Sequence, residues 1–313
     1  MGLIEGKVVC KDLFGNPLVV KAETTSGVPV KAAIAVKIRE HSPFAKSEAD
    51  MVAYVSEQSK RHDIDASELS RRIMVPQFIS CYDIYEIYGD DDDIKVVYDE
   101  NGNNGRGDNK PKFVAIISEF INGVSLNEVW SAMNEKERAS IKEQLRHQIE
   151  LFRKCQQRYI GRIRHQPTVN FYKWARNEFM GPFDSEVNFD KWCLSRINSH
   201  RGVIFGFIKK MKWRWKLHSL RGKDSNAFVL THGDLAARNI MVRREEVAGM
   251  VDWKIAGIVD WEASGFLPEW AEYAIAREIS RHDEEWKQVL LEVLEPFKPT
   301  EERLKFQALI TEI

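Results

Sequence analysis

A chain of 313 residues, 43% hydrophobic and 30% charged, has the composition of a soluble globular protein long enough for two lobes, which excludes the fibrous and disordered classes. Its formal net charge of −1 excludes a global electrostatic pull toward nucleic acid or an anionic membrane, so either partner would require a local patch. No apolar run approaches the ~18 residues that cross a bilayer. MGLIEGKVVC has no basic start followed by an apolar core, as a secretion signal would, and Gly6 stands where a myristoylation signal has Ser or Thr.

In chain order, LIEGKVVC, PLVVKAE and VKAAIAVKI are short β-branched runs separated by KDLFGN and TTSGVP, which are rich in turn formers. They predict an antiparallel meander. The period then changes: in SPFAKSEADMVAYVSEQSK, Ala45, Ala49, Val52 and Val55 recur three and four residues apart, as on one face of a helix. Two further strands are predicted around RIMVPQFIS and KFVAIISEF. Between them the chain is acidic and rich in Gly and Asn, and residues 89–111 read as a solvated insertion at a hairpin tip.

Beyond Gly123 the pattern is helical. Ser125 with Glu128, and Asn134 with Glu137, have the spacing of capping boxes. The second opens a helix whose apolar stripe is Ile141, Leu145, Ile149 and Phe152. Residues 160–228 are Trp-rich and irregular, and include the basic run KKMKWRWKLHSLRGK. Its Trp and Arg could stack on bases or meet an anionic surface. Its alternation of cations with Met211, Trp213, Trp215 and Leu217 equally describes a half-buried element with a solvated face. The predicted fold class is α+β with two lobes: residues 1–122, a five-stranded antiparallel sheet with one helix, and residues 123–313, mainly helical. The four cysteines, Cys10, Cys81, Cys155 and Cys193, lack metal-ligand spacing and read as reduced thiols of a cytoplasmic protein.

The chemistry is concentrated in THGDLAARNIMV, residues 231–242. On a loop, Asp234 offers a carboxylate that can take a proton from an attacking hydroxyl, and Asn239 a neutral oxygen suited to magnesium. Asn239 directly precedes the run IMV and Asp260 directly follows IAGIV; if the two runs pair as a hairpin, an amide and a carboxylate become cross-strand neighbours facing one cation. The VDW of residues 251–253 repeats that of 259–261, so Asp252 could end a shorter hairpin; Asp260 is preferred because its strand is the longer. His232 suits a buried orienter of the loop better than a base.

HGDLAARNIMV followed by IAGIVDWEASGFLPEWAEY resembles the aminoglycoside phosphotransferase and choline kinase family, and within it the fungal branch of unassigned members. The resemblance implies a protein-kinase-like fold, with 1–122 as a nucleotide-binding lobe and 123–313 as a catalytic and acceptor-binding lobe. It implies Asp234 as catalytic base, Asn239 and Asp260 as magnesium ligands, Lys37 on the ATP phosphates and Glu48 as its helix partner, with Asp50 as rival. Glu119 and Ile121 of SEFING would meet adenine. Two departures stand out. KDLFGNP has one glycine where protein kinases have a glycine-rich flap, and Ala236 stands where they place a phosphate-contacting lysine, as in small-molecule kinases.

The expected activity is transfer of the ATP γ-phosphate, with magnesium, to a hydroxyl of a small molecule. Glu262, Glu269, Glu272, Glu278, Asp283, Glu284 and Glu285 could line a pocket for an amine-bearing alcohol, with Trp261 or Trp270 as a cation-π face; they are equally the solvated sides of C-terminal helices. An inactive nucleotide-binding scaffold is the main alternative, and a protein kinase the next. No nucleic acid or membrane is expected as a partner, and the sequence implies no particular partner protein.

Overall fold

The computed structural model describes residues 2–11, 17–23, 33–61, 72–89, 93–98, 110–172, 178–197, 203–220, 227–247, 250–279 and 283–311. The chain divides into two compact units, one of Met1–Ile64 with Met74–Gly123 and one of Asp65–Ile73 with Val124–Ile313. No helix among the described residues is long and apolar enough to cross a membrane.

The first unit comprises β1 (Gly2–Lys11), β2 (Pro17–Glu23), β3 (Ala33–Glu40), α1 (Pro43–Arg61), β4 (Phe78–Gly89), β5 (Asp93–Tyr98) and β6 (Phe113–Glu119). The strands are antiparallel and close into a barrel in the order β1-β2-β3-β6-β4-β5, with β5 returning to β1. This corrects the expected five-stranded sheet. The sixth strand, DIKVVY, lies inside the segment read as a solvated insertion, where its β-branched residues outweigh the acidic and glycine-rich flanks. The remainder of that segment, residues 90–92 and 99–109, lies outside the described residues, as do the turns predicted at KDLFGN and TTSGVP. The fourth strand also begins later than RIMVPQFIS suggests, at Phe78, because Pro76 has no N–H to give a ladder.

Alternation sorts the faces of β3. Val20, Ile34, Val36, Ile38, Ile84, Ala115 and Ile117 form one buried cluster, and Ala45 and Ala49 of α1 pack with Val114 and Ile116 in another. Strand β6 is therefore buried on both faces. Lys37 lies directly opposite Ile116 in the ladder, and directly opposed residues share a face, so the register turns Lys37 toward α1.

The second unit opens with β7 (Val124–Ser125), α2 (Leu126–Val129), α3 (Glu135–Lys154) and β8 (Gln156–Gln157). It continues with β9 (Thr168–Val169), β10 (Phe179–Met180), α4 (Glu186–Ser195), α5 (Val203–Leu220), β11 (Phe228–Thr231), β12 (Ile240–Val247), β13 (Met250–Ile258) and β14 (Gly265–Leu267). It ends with α6 (Ala271–Ala274), α7 (Glu284–Val293) and α8 (Glu301–Thr311). Two three-stranded sheets, β14-β11-β8 and β13-β12-β7, carry the loops that matter below. Helix α3 buries the predicted stripe of Ile141, Leu145, Ile149 and Phe152. Its cap is complete: Glu137 N–H donates to Asn134 Oδ1 at 3.0 Å and Asn134 N–H to Glu137 Oε2 at 2.9 Å. The box expected at Ser125 and Glu128 does not form. Ser125 belongs to β7, paired with Met241, and its hydroxyl donates to the Arg238 carbonyl at 3.4 Å. The stretch read as irregular contains α4 and the 18-residue α5. Buried Arg303 of α8 ties to α4 through Asp190 and Glu186, each at 2.6 Å.

Candidate active site

Strand β11 ends at Thr231 and delivers the HGD loop, in which nearly every polar group has an assigned partner. Glu272 of α6, 2% exposed, accepts from His232 N–H at 2.7 Å and from Gly233 N–H at 3.1 Å. The His232 ring is buried against Trp261 with centroids 4.6 Å apart. Its Nδ1 faces the Asp234 N–H at 3.2 Å and its Nε2 the Val259 carbonyl at 3.0 Å, so Nδ1 must accept and Nε2 donate. Trp286 donates its indole N–H to the Leu235 carbonyl at 2.8 Å. Gly233 is obligatory here, with φ +83° and a position where a Cβ would lie 2.8 Å from the Ala263 carbonyl oxygen.

This scaffold holds Asp234 with its side chain 15% exposed. Its Oδ2 accepts from Arg238 Nη2 at 2.6 Å and from Asn239 Nδ2 at 3.1 Å, and Asn239 Nδ2 also reaches the Asp234 carbonyl at 2.9 Å. Among the described residues nothing donates to Asp234 Oδ1 or to Asn239 Oδ1. One oxygen of each side chain is therefore left for chemistry.

Asn239 leads into β12, which pairs with β13 antiparallel. The partner of Asn239 is Val259 rather than Asp260: Ile240 lies opposite Ile258, and Val259 N–H donates to the Asn239 carbonyl at 2.8 Å. The expected pairing of Asn239 with Asp260 is thus displaced by one residue. Asp260 takes up a left-handed conformation, φ 66° and ψ 59°, which starts the 3-10 turn Trp261–Ala263. A short polar side chain tolerates that conformation better than most. Fully buried Arg162 fixes the turn by donating to the carbonyls of Ser264, at 3.1 Å, and of Glu262. Carboxylate oxygens of Asp260 and Glu262 lie within 4.8 Å of each other. The rival, Asp252, does not end a hairpin, because β13 runs through it. It faces Glu245 in the ladder and is engaged by Ser140 at 3.1 Å and Lys254 at 3.0 Å.

In the first unit, Lys37 Nζ donates to Glu48 Oε1 at 2.7 Å, with the lysine 21% and the glutamate 1% exposed; Arg39 Nε stands 3.7 Å from the other Glu48 oxygen. Asp50, the rival, is half-buried two residues further along α1. Glu119 donates its N–H to the Gln77 carbonyl at 2.8 Å, so only its carbonyl could be offered to a ligand. Ile121, half-buried, follows the end of β6 by two residues.

The acidic series after Asp260 does not form one lining. Glu272 is a buried anchor of the loop, Asp283 caps α7 by accepting from Trp286 N–H at 2.9 Å, and Glu285 is held by Trp130 at 3.0 Å and Arg138 at 3.2 Å. Glu278 pairs with Arg277 at 3.1 Å, and Glu284 accepts from Gln288 at 2.7 Å. Neither tryptophan is a vacant cation-π face. Trp261 is 2% exposed and donates to the Ile258 carbonyl, while Trp270 already carries Arg303 4.8 Å from its ring centre. Sequence reasoning missed Glu272 and Trp286 as supports of the loop. A signal existed for the first: a carboxylate within the apolar stretch Ala271–Ala274 must find donors. Burial pushes the Glu272 carboxyl above its ordinary value of 4.5, against the opposing pull of His232 and Arg153.

Comparison with solved structures finds similarity to a crystal structure of aminoglycoside phosphotransferase APH(4)-Ia, at 11% identity and a TM-score of 0.50, covering 99% of this chain and 84% of that one. The structure of aminoglycoside phosphotransferase APH(3'')-Id from Streptomyces rimosus ATCC10970 is also similar, at 14% identity and a TM-score of 0.43, covering 93% and 88%. The first of these shows a shared fold. Comparison with curated protein sequences finds no match. The model of the phosphotransferase enzyme family, APH, matches residues 113–306, more than half of the sequence and all of the HGD loop and its hairpin, and the chain belongs to that family.

Proposed function

We propose that the chain transfers the γ-phosphate of ATP to a hydroxyl of a small molecule, with the first unit binding nucleotide and the second holding the catalytic groups and the acceptor. The observation that carries this reading is Asp234: a carboxylate locked at one oxygen by Arg238 and Asn239, with its other oxygen left to accept the proton of an incoming hydroxyl. Phosphoryl transfer asks chiefly for positioning and charge neutralisation, and a rigidly held base supplies the first. Lys37, clamped by Glu48, is a cation suited to the α and β phosphates, and the Glu119 carbonyl and Ile121 N–H suit an adenine edge. Within the family, the motif string supports the fungal branch of unassigned members.

The donor set suits magnesium. Asn239 Oδ1 and the Asp260 carboxylate are hard oxygen donors at the open end of one hairpin, Asp260 lying one residue past the partner of Asn239, and magnesium needs few protein ligands. When bound, that ion would supply charge neutralisation on the phosphate oxygens. The narrower acceptor class, an amine-bearing alcohol, rests on Glu262, beside Asp260. A cytoplasmic setting agrees with the free thiols of Cys81, Cys155 and Cys193.

The test is thermal stabilisation by ATP with and without magnesium, in wild type and Asp260→Ala, followed by an acceptor screen beginning with amino alcohols. A magnesium-dependent shift lost in the variant, and turnover lost in Asp234→Ala with nucleotide binding retained, is the expected result. No shift with any nucleotide would leave an inactive scaffold in its place.

A further inference from the structure

Helix α5 carries the basic, Trp-rich run that the phosphotransfer reading does not use. Its inner side is the one bearing Trp213, whose ring lies 5.2 Å from that of Phe306, and fully buried Leu217. Met211 and Trp215 do not join them, as strand-like alternation would require. They turn outward with Phe207 and Ile208, at exposures of 63% for Phe207, 57% for Ile208, 46% for Met211 and 75% for Trp215. At 3.6 residues per turn these four positions fall within an arc of about 100° and span about 12 Å of helix. The other large exposed apolar side chains of the described residues, Ile79, Val124, Phe179 and Val187, lie on separate elements. Apolar surface gathered on one helix face in this way marks an interaction site.

Two exposed cations border the stripe: at 100° per residue Arg214 lies about 20° outside Phe207 and Lys212 about 40° outside Ile208. Lys209, Lys212 and Arg214 are exposed, Lys210 and Lys216 half-buried, and no Asp or Glu occurs anywhere in Val203–Leu220. In a chain whose net charge is −1 this is a local positive field.

We propose that this face of α5 docks on an anionic lipid bilayer, lying in the interfacial plane with Phe207, Ile208, Met211 and Trp215 at the acyl boundary and Lys212 and Arg214 reaching lipid phosphates. An apolar stripe flanked by cations, with an aromatic at its margin, is the pattern of an interfacial helix. Two other occupants suit it less well. A second copy would bring two rows of cations together. Nucleic acid would stack on flat side chains, whereas two of the four exposed side chains, Ile208 and Met211, are not flat.

The experiment is co-sedimentation of the full chain with vesicles of phosphatidylcholine alone and of equal parts phosphatidylcholine and phosphatidylserine. Wild type, Trp215→Ser and Lys212→Glu/Arg214→Glu are compared at low and high salt, with melting temperature as a check that each variant folds. Expected is binding to the anionic vesicles that weakens with salt, falls by about fivefold for each cation lost and further on charge reversal, and drops in Trp215→Ser. Absence of binding, binding equal on both vesicles, or binding undiminished in the variants each overturns the proposal. So does tighter salt-dependent binding of an oligonucleotide, or self-association through this face.

Discussion

Replacing Glu272 by alanine removes the acceptor of two buried N–H groups, those of His232 and Gly233. Each unsatisfied buried donor costs about 1–3 kcal/mol, so the loss is about 2–6 kcal/mol, reduced by no longer burying a carboxylate. For a chain of this size that lowers the melting temperature by about 3–9 °C. Because the two groups immediately precede Asp234, the loop should also loosen and turnover fall by ~10²-fold, with nucleotide affinity changed far less. Glu272→Gln keeps one acceptor and opposes an amide donor to the second N–H, so it should lose about half as much. The pH dependence has a definite sign. Burial raises the folded-state pKa above the ordinary 4.5, so the contribution of this carboxyl is full below pH 4.5 and declines as pH rises through the raised value. The stability gap between wild type and Glu272→Gln should therefore narrow from acid toward neutral pH. Calorimetric melting and steady-state turnover are the assays. A Glu272→Ala protein that melts within about 1 °C of wild type with unchanged turnover would refute the anchoring argument.

Three further outcomes are expected. Gly233→Ala places a Cβ 2.8 Å from a backbone carbonyl at φ +83°, and should cost about 1–3 kcal/mol in urea unfolding and lower turnover together. In a double-mutant cycle of Lys37→Met and Glu48→Gln, the pair held at 2.7 Å should show a coupling of about 0.5–3 kcal/mol, and both single variants should weaken ATP stabilisation; strict additivity would deny the contact. Burial, with Asp83 beside it, pushes the Cys81 thiol from 9.0 up to about 11, so its alkylation by iodoacetamide at pH 7 should run about a hundredfold slower than that of an ordinary thiol. Rapid labelling, read by peptide mass, would contradict it.

Much of this was legible in the one-dimensional pattern. The period-3.6 stripes of α1 and α3, the Asn134 capping box, and Lys37 and Glu48 on neighbouring elements all follow from local rules, in which a residue's face is set by its spacing from others of its kind. The strand DIKVVY was hidden because its acidic, glycine-rich flanks gave the composition of a loop, and only the open edges of β1 and β4 recruit it. The contacts of Glu272 and Trp286 with the HGD loop span 40 and 51 residues, distances at which spacing carries no information.

What the sequence by itself determined is therefore the identity of the chemical groups and the local elements that carry them: Asp234, Asn239 and Asp260 around one hairpin, and Lys37 on a strand ahead of the helix bearing Glu48. Tertiary structure alone decided the rest. It closed the barrel, moved Asp260 one residue past the partner of Asn239, turned Met211 and Trp215 outward, and made Glu272 an anchor rather than a pocket wall. The physical reason is that burial and partner choice depend on which distant surfaces meet. A carboxylate reads the same in a sequence whether water or two backbone N–H groups will solvate it.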